Sequence, residues 1–401
     1  MAAKIAVTRI VGIDVARSCA IFLAMASHVW VVSKSAAFFQ GTYVDALKLL
    51  MALATPTFIV LFGTMLEVVY LPRFETGKRS ISIARLWSRA IQCWLLYSLS
   101  VVVLFFVKPE YSFFFSLSTI SMLGVTPFTD ILKFYAIALT VAPALLWARK
   151  SLGLIPLLIL AVAVHILHPV VRGLPSPVDL GLPMEMDRLA MFLFGIGGAK
   201  LGGPSVLHGM TLVIFGMALG NILVGAASSA SPGIARRALF VLFGAGLPLI
   251  AGAWFVDIET KKGLGNMAMR MDSDPLYFTA GILGAYAITA ATVLITMRQP
   301  ASSAALWKSQ TFFGRTSLFT FAFGNMLLYC VQFEPTTRIQ SMLLGALLMS
   351  AITVLSFCFD RVAQQNGRMA NAVSSIQNWI NRLATILSDR GSQLRRQMKT
   401  R

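Results

Sequence analysis

Long apolar runs recur along the whole chain, and they restrict its fold more than any other feature. A transmembrane helix needs about 20 predominantly apolar residues, and most of the runs approach that length. Hydrophobic residues make up 57% of the 401 residues and charged residues only 12%. Because backbone polar groups that face lipid must be satisfied within their own segment, this pattern predicts an all-α, polytopic transmembrane helical bundle. The eleven runs are residues 10–32, 47–70, 86–107, 131–148, 152–167, 189–201, 206–226, 238–255, 276–297, 318–331 and 342–359.

The basic residues between these runs set the expected topology, because cytoplasmic loops are enriched in Lys and Arg. With a cytoplasmic N-terminus, eleven crossings would place the basic tail on the wrong side. If one short run between residues 152 and 226 does not cross, every basic segment lies on one side. We therefore predict about ten spans (10–11), with both termini cytoplasmic. The basic segments are residues 73–89, Arg149 with Lys150, Arg236 with Arg237, residues 298–315 and the tail.

The net charge of +18 is explained by these loops and the tail facing anionic lipid, so no nucleic-acid partner is expected. We divide the chain into a membrane domain, residues 1–360, and a basic cytoplasmic tail, residues 361–401. Apolar tail residues three and four apart predict an amphipathic helix on the membrane surface; a coiled-coil or partner-binding helix is the alternative. These tail residues are Met369, Val373, Ile376, Ile380, Leu383 and Leu387, with Trp379 beside them.

The first apolar run carries three ionisable residues, Asp14, Arg17 and His28. Arg17 and His28 are eleven residues apart, which on a helix returns to nearly the same face about 16 Å further along. Asp14 lies one turn before Arg17 on that side. Ionisable residues inside a membrane usually face protein or a wet cavity and mark function. A snorkelling arginine and a packing histidine are the simpler explanation for each residue alone, but their combination favours a functional stripe.

The chemistry available on this stripe is acid–base chemistry and anion binding. A neutral imidazole at His28 is suited to take a proton from a hydroxyl, and the Arg17 guanidinium offers five donors to an anionic or thioester-bearing ligand. His165 and His168 are three residues apart, but with no carboxylate in register we interpret them as packing residues and expect no metal site. The four cysteines have no metal-type spacing, and we interpret them as small core residues.

Arg17, ten residues and then His28, on the first span of a basic ten-helix protein, resembles the signature of membrane acyltransferases of the acyltransferase-3 class. The related OpgC-type family, which modifies osmoregulated periplasmic glucans, is the closer likeness. Its blocks resemble five stretches of this chain in order, from Ile10 to Phe359. The sequence departs at Ser18, Ser27 and Phe62, where the family often has Gly, an acidic residue and Ser. The five stretches are GIDVARSCAIFLAMASHV, TPTFIVLFGTMLEVVY, ARLWSRAIQCWLLY, FTDILKFYAIALTVAPALLWA and FFGRTSLFTF.

This resemblance implies an O-acyltransferase in the bacterial inner membrane that uses succinyl-CoA or acetyl-CoA and no metal. On this hypothesis Arg85 and Arg89 hold the CoA phosphates, Asp14 fixes the rotamer of Arg17, and His28 deprotonates a sugar hydroxyl. Simple topogenic charge is an equal explanation for Arg85 and Arg89. The expected partners are membrane lipids, a glycan acceptor and proteins of glycan synthesis or export. The rival functions are a transporter or flippase for a glycan or lipid-linked precursor, and a scaffold for glycan assembly.

Overall fold

The computed structural model describes residues 10–76, 79–196, 204–224, 231–297 and 311–364, and in the tail residues 371, 374–375 and 377–386. These residues form helices and connecting loops, with no β-strand among them, which confirms the all-α prediction. The first nine helices are α1 (Val11–Val32), α2 (Ser35–Phe38), α3 (Thr42–Ala52), α4 (Ala54–Met65), α5 (Leu71–Glu75), α6 (Arg79–Val107), α7 (Phe113–Ile120), α8 (Asp130–Leu152) and α9 (Ile155–Ile166).

The second half of the chain continues the same pattern of long helices and short connecting ones. Its helices are α10 (His168–Arg172), α11 (Met184–Phe194), α12 (Val206–Val224), α13 (Ser231–Phe255), α14 (Ile258–Gly265), α15 (Ala268–Met271), α16 (Pro275–Met297), α17 (Phe312–Arg315), α18 (Ser317–Tyr329) and α19 (Arg338–Gln364). The last of them passes the domain boundary predicted at residue 360.

Eight helical segments in the described ranges are long and apolar enough to cross a membrane, and α9 and α18 are shorter apolar helices. This architecture is that of a multi-pass membrane protein. The predicted run 189–201 differs from the others. Its described part belongs to α11, which has 11 residues and ends at Gly195 in the left-handed region (φ +81°). Like α9 and α18, α11 is shorter than the bilayer core of about 30 Å, but His168 before it and Gly195 at its end both lie beside His208, so the chain between them returns to the same end of the bundle.

The second span is longer and more broken than the predicted run 47–70. It extends from Thr42 to Glu75, and α3 ends at Ala52, four residues before Pro56. A proline ring clashes with the carbonyl four residues earlier, which explains why the interruption falls at Leu53. Between α4 and α5, residues Leu66–Tyr70 form a π-helical turn, a feature frequent at functional sites.

Side-chain contacts order the helices along the bundle. Trp87 donates to the Thr140 carbonyl and Ser100 bonds Thr129, so α6 and α8 run antiparallel. The start of α6 therefore lies beside Arg149, near the end of α8. Arg149 in turn forms two hydrogen bonds with Glu67, whose carboxylate also accepts from Asn221. We call this the basic end; Arg79, Arg149, Arg237, Arg315 and Arg361 lie at helix ends on this side.

The helices α4 and α12 pack backbone to backbone. A Cβ atom at Gly63 would lie 1.9 Å from the Val213 carbonyl oxygen, and one at Gly216 would lie 2.0 Å from the Val60 carbonyl oxygen. Thr64 donates to the Gly216 carbonyl across the same contact. Only glycine permits this approach at both positions, a device typical of membrane helix pairs.

Helix α1 lies inside this bundle and packs against α4, α16, α17 and α18. The tail residues 377–386 are helical and lie on α6 at the basic end, where Ser88 donates to Asn381 and where Ile380 and Ala384 are buried. Trp379 is exposed. The described part of the tail therefore packs on the protein through one face. The tail residues Met369, Val373, Ile376 and Leu387 lie outside the described residues.

Candidate functional site

His28 is held by three side chains from two other parts of the chain. Its Nδ1 atom lies 2.7 Å from Oδ1 of Asn325 on α18. Its ring stacks on Phe128, with centroids 4.6 Å apart, and meets Phe321 edge-on at 5.6 Å. The imidazole therefore has a fixed position and orientation, which is what a catalytic base on a rigid helix requires.

The hydrogen bonds of Asn325 assign the tautomer of His28. Asn325 is fully buried, and its Nδ2 atom donates to the Phe321 carbonyl at 2.7 Å. Its Oδ1 atom therefore faces His28, and a carboxamide oxygen only accepts. The proton must then sit on Nδ1 of His28, which leaves Nε2 as the basic nitrogen. Asn325 thus supplies the acceptor that orients the ring of His28.

His28 lies in the wall of a cavity at the end of the bundle opposite the basic end. The space between its lining residues amounts to ≈ 900 Å³, part of which is open solvent. Small residues of α1, among them Ala20, Ala24 and Ser27, line one side. Aromatic rings line much of the rest, and three charged groups join them. The aromatic residues are Phe58, Phe128, Phe134, Phe192 and Phe321, and the charged ones are Asp130, Lys133 and Arg270.

The loop 124–129 before α8 fixes two of the three charged groups of this cavity, Asp130 and Lys133. The Gly124 carbonyl accepts from Lys133 at 2.9 Å, while the backbone nitrogen and the hydroxyl of Thr126 both donate to Asp130 at 3.0 Å. The Tyr111 hydroxyl, from the segment between α6 and α7, donates to the Val125 carbonyl of this loop at 2.8 Å. Burial, and then the negative charge of Asp130, raise the pKa of Tyr111 above its usual range, so this phenol stays a neutral donor.

Arg17 lies outside this cavity, which corrects the prediction of one continuous stripe. The face of α1 is as predicted, but Arg17 is half-buried one turn before Ala20, at the near edge of the cavity. Its charge interacts with Asp14, Tyr135 and Arg89. The stripe thus divides into an Arg17 cluster toward the basic end and a His28 cavity toward the other end, since eleven helical residues span about 16 Å.

Arg85 and Arg89 are exposed near the start of α6, one turn apart on one face. Arg89 donates to Gln92 at 3.2 Å and lies close enough to interact with Arg17. Both predicted phosphate-binding residues are therefore accessible at the basic end. Arginines that only set the membrane topology would be exposed in the same way. The geometry is therefore compatible with phosphate binding and with a purely topogenic role.

Ser18 connects α1 to the short helix α17. Its hydroxyl donates to the Asp14 carbonyl at 3.1 Å and accepts from the Gly314 nitrogen at 2.9 Å. A Cβ at Gly314 would lie 2.7 Å from the Ser18 oxygen. The FFGRTSLFTF block thus docks onto α1 beside Asp14.

The other three histidines gather in a second group. The rings of His165 and His168 each lie 5.6 Å from that of His208, centroid to centroid, and each ring is hydrogen-bonded to a hydroxyl or a backbone carbonyl. In the described ranges, no three His, Cys, Asp or Glu residues are placed to hold a metal ion. The sequence indicated packing for His165 and His168, and their contacts fit that interpretation.

Four residues around His28 were not predicted from the sequence: Asn325, Asp130, Lys133 and Arg270. Asn325 follows His28 by 297 positions, and the only local signal is an amide within an apolar run. Lys133 stands three residues into a span that Asp130 opens, a spacing that places both on one helical face. Arg270 lies in a charged loop, where nothing in the sequence separates it from its neighbours.

No family model matches this chain, and no curated protein matches it.

Proposed function

We propose that this protein is a membrane-embedded O-acyltransferase, which moves a succinyl or acetyl group from cytoplasmic acyl-CoA to a hydroxyl of a periplasmic or exported glycan. The observation that carries the proposal is the 2.7 Å contact between Nδ1 of His28 and Oδ1 of Asn325 beside a cavity. It leaves Nε2 as a positioned base. The OpgC-type resemblance supplies the reaction class, and the cavity supplies room for the reacting groups.

The arrangement of helices supports a reaction that connects the two sides of a membrane. If the eight long apolar segments and the two shorter helices all cross, the chain makes ten spans with both termini on one side. Most of the basic helix ends lie on that side, which the charge rule makes cytoplasmic. In a bacterial inner membrane, the His28 cavity then lies in the periplasmic half, and α11 is an external helix.

The donor would bind from the cytoplasmic side. Arg85 and Arg89 are exposed there and would pair with the phosphates of CoA, and Arg17 continues the line of positive charge toward the cavity. Beyond Arg17, the small side chains of Ala20 and Ala24 leave room beside α1 for an extended chain that carries the thioester. Asp14 would restrain Arg17 through their electrostatic interaction.

The chemical step proceeds by direct transfer. Nε2 of His28 takes the proton of the acceptor hydroxyl while the hydroxyl oxygen bonds to the thioester carbonyl carbon, and the carbonyl electron pair moves onto its oxygen. When that pair returns, the carbon–sulfur bond breaks, and the leaving thiolate takes the proton from His28. The products are the O-acyl ester and free CoA. Positioned proton transfer of this kind contributes about 10²- to 10⁴-fold to rate.

Mass spectrometry of periplasmic and exported glycans tests the proposal. We would compare cells with the intact gene, a deletion, His28→Ala and the control His168→Gln, with each variant at equal membrane abundance. We expect the deletion and His28→Ala to lose one acyl mass at an unchanged level of glycan backbone, while His168→Gln keeps it. The lost mass identifies the acyl group.

Two results would overturn the proposal. Acylation that survives deletion of the gene excludes the enzyme. A fall in exported backbone, with unchanged acylation of what remains, makes the chain a transporter or flippase instead.

A further inference from the structure

Lys133 is an ammonium group placed where a charge is costly. It stands in the first turn of α8, and its side chain is 2% exposed although the helix is a membrane-span candidate. A buried charge of this kind is retained where close partners or a function compensate for it.

Among the described residues, the ammonium of Lys133 has one neutral hydrogen-bond acceptor and one carboxylate at ion-pair distance. One N–H bonds the Gly124 carbonyl at 2.9 Å, a neutral acceptor. The Asp130 carboxylate is 3.8 Å away, and its Oδ1 atom already accepts two hydrogen bonds from Thr126. The remaining contact is the Phe192 ring, 4.3 Å from Nζ to the centroid. An ammonium has three N–H donors, so these contacts leave it capacity to bind a further anionic atom.

The same loop positions Lys133 and His28. Gly124 at its beginning binds Nζ of Lys133, and Phe128 near its end stacks on the His28 ring. Both side chains line one cavity. The base and the cation are thus fixed relative to each other by one partly buried loop, as groups that act on one reacting centre need to be.

We propose that Lys133 is a catalytic residue whose ammonium stabilises the oxyanion formed on the thioester carbonyl when the acceptor hydroxyl attacks. This inference rests on the acyl transfer proposed above. The charge that develops on the carbonyl oxygen is absent from both substrates, so a fixed cation favours the transition state over the ground state. Low exposure strengthens the interaction, because little water competes with it.

Lys133→Met separates this role from a structural one. Loss of one oxyanion donor lowers kcat by about 10²- to 10³-fold, and we expect that loss with KM changed by less than about threefold because ground-state contacts remain. Lys133→Met leaves Asp130 without the cation 3.8 Å away, although Asp130 keeps its Thr126 hydrogen bonds. Removing one partner of a buried ion pair destabilises, so the thermal midpoint in detergent is expected to fall, and kcat is measured on the folded fraction. A lowered midpoint with kcat unchanged in the folded fraction would show that Lys133 only supports the fold.

Chemical rescue gives a second, independent readout. In Lys133→Ala, we expect ethylammonium to restore part of the lost kcat, because it brings an N–H donor and a positive charge into the vacated volume. Tetramethylammonium, with the same charge and no N–H donor, is the matched control and is expected to restore nothing. His28→Ala should not respond to ethylammonium. Equal rescue by both cations, or by neither, would overturn the oxyanion role.

The two proposals fail in different ways. If the wild-type protein transfers acyl groups in a His28-dependent manner while Lys133→Met retains kcat, the Lys133 inference alone is wrong. If the purified wild-type protein forms no ester from acyl-CoA and glycan, the acyltransferase proposal itself fails.

Discussion

The two ends of the bundle hold buried charge in opposite ways. At the basic end, Glu67 and Arg149 share two hydrogen bonds of 2.6 and 3.1 Å, and Arg315 and Asp360 share two of 2.6 and 3.0 Å. At the other end, the carboxylate closest to Lys133 is 3.8 Å away, and the partner of His28 is a neutral amide.

This difference separates structural charges from reactive ones. Bidentate arginine–carboxylate pairs use their donors and acceptors on each other, which fixes two helices but leaves little capacity for a ligand. The side chains around the cavity are oriented by carbonyl, hydroxyl and amide groups and keep their charge or basicity for a reacting group. The following three predictions test that division.

The largest effect is expected at the basic end. Glu67→Gln leaves Arg149 half-buried without its opposite charge, and breaking a buried pair from one side destabilises by about 3–5 kcal/mol. The double variant Glu67→Leu with Arg149→Met removes both charges and should recover much of that stability. Denaturant unfolding of the purified protein measures both. A double variant no more stable than Glu67→Gln would show that the pair contributes more than mutual neutralisation.

An intermediate effect is expected at Asn325, and it should fall on activity. Asn325→Leu removes the acceptor that orients His28. Loss of the corresponding partner of a metal-bound histidine costs about 10- to 100-fold, and we expect a loss of that size here. Asn325→Asp keeps the acceptor and should retain more turnover. Asn221→Leu is the matched control, because that amide contacts Glu67 at the basic end. Single-turnover acyl transfer measures the difference; equal losses in Asn221→Leu and Asn325→Leu would refute the division between the two ends.

The smallest effect is expected for the exposed pair Lys34–Glu334, whose charged atoms are 2.8 Å apart. A hydrogen bond from Lys34, and then its charge, lower the pKa of Glu334 below its usual value. A lowered folded-state pKa adds stability above the unfolded pKa of about 4.3, and that stability is lost as the pH falls through the folded value. Exposed pairs contribute little, so Glu334→Gln should leave the thermal midpoint unchanged at pH about 7. A clear drop in the thermal midpoint of Glu334→Gln would show that solvent exposure does not determine how much an ion pair contributes to stability.

The sequence predicted the features that depend on short-range periodicity, namely the helices and the residues that share a helical face. Apolar run length predicted the eight helices that are long and apolar enough to cross a membrane, and the spacing from Arg17 to His28 predicted that both lie on one face of α1. The sequence did not predict that the two residues belong to separate clusters, because a helical face says nothing about which neighbours close around it. Asn325 and Lys133 were missed for the same reason: their roles arise from a contact across 297 positions and from the path of one partly buried loop.

The contact between Gly63 and Gly216 also bears on motion. At this contact the backbones of α4 and α12 touch with no side chains between them. Helices that pack through side chains can shift when those side chains change rotamer, and this contact has no such side chains. Substrate passage that widens the bundle must therefore be accommodated at other interfaces. The backbone contact would remain the fixed axis about which the rest of the bundle moves.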